Sequence, residues 1–129
     1  MQIGRDLLTV VLMSVGLILW NPSPAASRFA IIMEPFPPYY QPPRAIIPIL
    51  TTVEWRNTTA SPHSIKHDGC GTGPICAFNS GAVGPEQAFS VSGLPAGVYE
   101  YHCELHPIMR GVLVVMESGN ARPSNIHGD

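Results

Sequence analysis

The sequence predicts an all-β chain folded as a Greek-key sandwich. Segments rich in β-branched and aromatic residues are short and are separated by frequent turn signals. The 14 prolines and 12 glycines among 129 residues favour loops and short strands, and no long helical period appears. Tyr99 stands just past a turn containing Pro95 and Gly97, which is the pattern of a tyrosine corner, a feature of Greek-key sandwiches.

Residues 29–33 read as the first strand, apolar and β-branched. Six prolines follow between Pro35 and Pro48, with Tyr39 and Tyr40 among them. Proline cannot donate to a ladder, so this segment is expected along a sheet edge or as extended loop. Residues 45–49 and 51–55 read as two further strands; in the second, Val53 and Trp55 alternate with Thr52 and Glu54, giving one buried and one wet face. Residues 56–62 carry turn chemistry, and 63–66 resume an extended path. Asn57, Thr58 and Thr59 also fit the glycosylation acceptor pattern, read here as a chance match. Residues 68–85 are loop-like, with glycines at 69, 71, 73, 81 and 84. Strands are then expected over 87–91, over 99–103 after the turn at 94–99, and over 111–116.

The ends of the chain read differently. Arg5, the apolar run 7–20 and the small residues of 21–27 form an export signal over residues 1–27. The run is shorter than the roughly 20 residues a membrane span needs, so membrane contact is expected only if this segment stays attached. Residues 28–117 then form one domain working outside the cytoplasm, as in a periplasm, and residues 118–129 a polar, flexible tail. A net charge of −2 gives no reason to expect nucleic acid, and a monomer is the default. Three cysteines fit one disulfide plus one free thiol. Cys70 and Cys76, in a glycine-rich loop, are read as the disulfide in preference to a second metal site with His67. His67 and His127 are read as ordinary loop histidines.

The segment that carries chemistry is 101–111. It places Cys103, His106 and Met109 at spacing C-x2-H-x2-M. A thiolate, imidazoles and a weak thioether suit copper in both oxidation states, and a blue-copper site takes two histidines, one cysteine and a long axial methionine. The loop supplies three of these, and His63 is the candidate for the fourth. Strand alternation places Glu100 and His102 on the solvent face, with Tyr99, Tyr101 and Cys103 inward, so His102 is not expected to be a ligand. Singly, Cys103 reads as a buried core thiol and His106 and Met109 as loop residues. Together, with a proline-led histidine upstream, they read as a metal site.

These residues carry a resemblance. The run from Val53 to Asn57, the pair Pro62-His63, and the Tyr101-His102-Cys103, His106-Pro107 and Met109-Arg110-Gly111 pattern resemble the cupredoxins, most closely the amicyanin/plastocyanin family, over about residues 31–115. The short ligand loop is typical of amicyanins. The resemblance implies about eight strands, one type 1 copper ion held by His63, Cys103, His106 and Met109, and one-electron transfer with no enzymatic activity. It also implies transient redox partners such as a dehydrogenase and a c-type cytochrome, with His106 as the exposed edge for electron passage. A copper carrier or store is the alternative. A catalytic copper domain is disfavoured, because Glu104 stands where such enzymes usually carry a histidine immediately after the cysteine. Ser64 and Glu104 also replace residues whose side chains clasp the two ligand loops in the family; the residue 64 N–H still reaches the sulfur, leaving the side-chain clasp open. Leu50 stands where many relatives have glycine and is expected to matter only to a turn.

Overall fold

The computed structural model describes residues 16, 18–23 and 25–118. Most of the export signal, the tail beyond 118 and His127 lie outside these residues. Among the described residues, eight strands form two four-stranded sheets, with almost no helix. Strands β1 (Arg28–Met33), β2 (Tyr40–Gln41), β4 (Thr52–Asn57) and β6 (Ala88–Val91) make one sheet in the order β2-β1-β4-β6. Strands β3 (Arg44–Pro48), β5 (Lys66–His67), β7 (Gly97–His102) and β8 (Arg110–Met116) make the other in the order β3-β8-β7-β5. β1 runs parallel to β4 and β3 parallel to β8, while the other pairs are antiparallel.

Period-2 alternation decides what the sheets bury. Ile31, Val53 and Trp55 from one sheet meet Ala45, Ile47, Tyr101, Leu113 and Val115 from the other in a single core. Trp55 packs edge-on against Tyr101 at 5.5 Å and beside Phe78 at 5.4 Å. Gly111 pairs with Tyr101 across β7 and β8, and its missing Cβ is the space the phenol ring occupies. The tyrosine corner is present: the Tyr99 hydroxyl donates to the Pro95 carbonyl at 2.6 Å.

The proline-rich segment runs along an edge, where β2 is two residues long and borders only β1. The peptide bonds 37–38 and 41–42 are cis. Leu50 takes a left-handed conformation (φ 67°) at an exposed turn.

Two expectations need correction. The turn expected over 56–62 starts later, because β4 continues through Arg56 and Asn57, with Asn57 buried. The loop 68–85 holds more structure than its glycines suggest. It contains a helical turn α1 (Gly69–Thr72), and bridges pair His63 with Val83 and Lys66 with Asn79.

Candidate metal centre

Two separate stretches build the site at one end of the sandwich. His63 follows the 58–62 loop and is fixed by a pair of backbone bonds to Val83: His63 N–H to the Val83 carbonyl at 3.0 Å, and the return bond at 2.7 Å. Cys103 closes β7, and the chain curls before rejoining the sheet at β8. The curl is held from within, since Met109 N–H donates to the His106 carbonyl at 2.9 Å and Cys103 N–H to the Met109 carbonyl at 3.0 Å. This short, self-bonded loop brings Cys103, His106 and Met109 to one spot.

Three of the four candidate residues present donor atoms to a common point. The Cys103 sulfur lies 3.9 Å from His63 Nδ1 and 3.8 Å from His106 Nδ1, and the two nitrogens are 3.1 Å apart. A point equidistant from the three lies about 2.1 Å from each, close to the metal–nitrogen (about 2.0–2.1 Å) and metal–thiolate (about 2.3 Å) lengths of first-row ions. Met109 is buried and lines the same cavity as His63 and His106. The donor set of two imidazoles and a thiol beside a thioether fits copper better than zinc, whose closed sites take four strong ligands.

The electrostatics favour the neutral imidazole at His63. Burial lowers the His63 pKa below its ordinary value, and the neighbouring His106 lowers it further. Two ring nitrogens meeting at 3.1 Å cannot both carry protons without placing two N–H groups head-on. The sulfur is held in place by the Ser64 N–H, which donates to it at 3.2 Å.

Of the candidates, His63, Cys103 and Met109 are buried, whereas His106 is exposed. His102 points away from the site and binds Asp68. Cys70 and Cys76 are disulfide-bonded to each other, leaving Cys103 as the free cysteine among the described residues. His67 lies on β5, where its Nδ1 accepts the Ala77 N–H at 3.2 Å.

The clasp between the two ligand loops survives the change of residue types. Ser64 Oγ accepts the Glu104 N–H at 2.8 Å and lies 3.8 Å from the Cys103 sulfur. Lys66 adds an ion pair to the Glu104 carboxylate. The clasp that Ser64 and Glu104 left open is thus supplied by the serine hydroxyl.

Sequence reasoning missed two supports. Tyr40, read as part of a proline loop, is fully buried; its hydroxyl donates to the Ser64 carbonyl at 2.6 Å, and its ring packs on Tyr101 at 5.0 Å. Prolines on both sides hid it. Asn57 was read as a turn residue, yet Nδ2 donates to the Ser61 and Val83 carbonyls, and Oδ1 accepts from Thr59 N–H and Oγ1. It thereby braces the 58–62 loop and Val83, which pairs with His63. The signal was present: Val53, Trp55 and Asn57 continue one alternation.

No protein-family profile matches the chain. Among curated proteins, amicyanin of Paracoccus denitrificans is 36% identical over 86 residues, covering 67% of this chain and 65% of the relative. Amicyanin of Paracoccus versutus is 33% identical over 76 residues, covering 59% and 57%. The chain thus spans 65% or less of the length of these curated relatives. Among solved structures, a Cu(I) form of an amicyanin variant superposes with a TM-score of 0.61 at 30% identity, covering 71% of this chain and 85% of that one. A purple cupredoxin from Nitrosopumilus maritimus superposes at 0.59 and 30% identity, covering 67% and 98%.

Proposed function

Since the chain belongs to the cupredoxins, and within them to the amicyanin-like proteins, we propose that it carries single electrons between redox partners outside the cytoplasm. The observation that carries this reading is the convergence of His63 Nδ1, Cys103 Sγ and His106 Nδ1 on one point beside buried Met109.

His63, Cys103, His106 and Met109 would hold one copper ion, which supplies a Cu(I)/Cu(II) couple. The protein's own part is to keep the donors where they are in both oxidation states. Val83 fixes His63, Ser64 holds the sulfur and the start of the loop together, and the loop's internal bonds set Met109 against His106. Donors fixed in advance by packed strands need little rearrangement when charge changes, which favours rapid exchange over slow metal handling. The three buried donors are shielded from solvent, so exposed His106 is the natural edge for an electron to cross. Leu105 and Ile108 beside it are exposed and apolar, a surface suited to the small interfaces of transient redox complexes. A dehydrogenase as donor and a c-type cytochrome as acceptor are the partners the resemblance suggests. The protein is a carrier rather than an enzyme in this reading, with Met109 beside the position an open catalytic site would leave free.

The test is the visible spectrum of the exported domain with Cu(II), before and after ascorbate. A strong thiolate-to-copper band that bleaches on reduction, returns on oxidation and is missing in Cys103→Ser is the expected result. A colourless copper complex in the wild-type protein would sink electron transfer as the function and bring a copper carrier forward.

A further inference from the structure

Resting on the copper reading, we propose that Asp68 is a positioning residue for the donor loop. It lies just past β5, at the edge of the sheet that carries Cys103. Its N–H donates to the Glu100 carbonyl at 2.9 Å, which docks it against β7. Its carboxylate then divides. Oδ1 meets His102 Nδ1 at 2.6 Å, and Oδ2 pairs with the Arg110 guanidinium. His102 and Arg110 face each other across β7 and β8 as the last pair before the strands separate. His102 precedes Cys103, and Arg110 follows Met109. One carboxylate therefore ties together the two points where the donor loop leaves the sheet and rejoins it.

The same edge grips the loop once more, because Lys66, two residues before Asp68, pairs with Glu104. Asp68 is itself held from behind. Its carbonyl accepts from Thr72 Oγ1 at 3.1 Å in the helical turn α1, and the Cys70–Cys76 disulfide closes the segment that follows. Gly69 permits this tight return, since a Cβ there would collide with the Ile75 carbonyl and the His67 ring. Partly exposed ion pairs contribute little stability on average. The value of this one is geometric: it fixes the separation of two strands whose ends carry metal donors, and contacts behind the ligands orient them and tune the metal.

The test compares Asp68→Ala with the wild-type protein, with Asp68→Glu as the conservative variant. Glu54→Ala is the control, as it removes a carboxylate paired with Arg56 on the other sheet. In copper-loaded protein, Asp68→Ala should shift the reduction potential and change the relative intensities of the thiolate-to-copper bands. Asp68→Glu should restore them in part, and the control should leave both alone. In metal-free protein, amides of the 104–109 loop should exchange roughly tenfold faster in Asp68→Ala, the factor expected for losing a hydrogen bond to a charged group. If Asp68→Ala does not fold, Asp68→Asn, which keeps the shape but loses one grip, takes the same measurements. A blue variant with wild-type potential, bands and exchange overturns the proposal. If the wild type itself shows no blue band, the copper reading has failed, and loop exchange in the metal-free protein alone decides the role of Asp68.

Discussion

Asn57 uses its full side-chain hydrogen-bonding capacity inside the protein, with two carbonyls accepting from its amide and two Thr59 groups donating to its oxygen. Truncating it leaves the buried Thr59 N–H without its acceptor and removes the amide donor that the Ser61 and Val83 carbonyls share. Asn57→Ala should therefore cost about 1–3 kcal/mol in urea unfolding, and Asn57→Asp more at neutral pH, because it sets a buried carboxylate oxygen against the Ser61 and Val83 carbonyls. Stability within about 0.5 kcal/mol of wild type would show that water replaces the network. The same residue keeps the side-chain nitrogen of the glycosylation pattern at 57–59 buried and hydrogen-bonded. The candidate donors that the structure brings together were legible from residue type and spacing, since few arrangements other than a soft-metal site call for Cys, His and Met together. Buried polar supports such as Asn57 and Tyr40 were not, because asparagine and proline-flanked tyrosine occur far more often in turns.

The donor loop is the element on which the proposed docking of redox partners rests. It presents exposed His106 between Leu105 and Ile108, and Ile108 is 75% exposed. A charge placed there should leave folding nearly untouched. Ile108→Lys is expected to keep the thermal midpoint and the visible spectrum, while slowing electron exchange with a c-type cytochrome several-fold. Unchanged exchange would move the docking face elsewhere. Strands were read well where alternation was strong, as in β4, β7 and β8. β5 was legible only in part: the extended path expected over 63–66 takes in Lys66 but not His67, because two residues show no period, and its place is set by pairing with β7. The helical turn α1 was hidden for a similar reason: the disulfide and Gly69 close it, and glycine-rich composition argues against helix.

For the molecule as a whole, two buried phenols in the core make stability sensitive to alkali. Burial raises the Tyr101 pKa from 10 to about 12, with the nearby Trp55 indole opposing it. Tyr40 is raised as well, first by burial and then by Cys103 and Tyr101. The fold thus holds the neutral phenols while the unfolded chain releases their protons near pH 10, so this stabilisation is complete below pH 10 and is lost as pH rises through about 12. Denaturant midpoints measured from about pH 9 to pH 12 should fall, with tyrosinate absorbance appearing in step with unfolding. A flat profile with early tyrosinate absorbance would mean that the phenols reach water in the native state. The parallel course of β1 and β4 has a separate consequence. Both strands start at the end of the sandwich where the chain enters, near Ser27 and Thr52, and both finish at the donor end, near Met33 and Asn57. Six residues of strand span about 20 Å. Any tether fastened ahead of Arg28 would therefore hold the molecule like a lamp on a post, with its redox face turned away from the anchoring surface and open to whatever diffuses past.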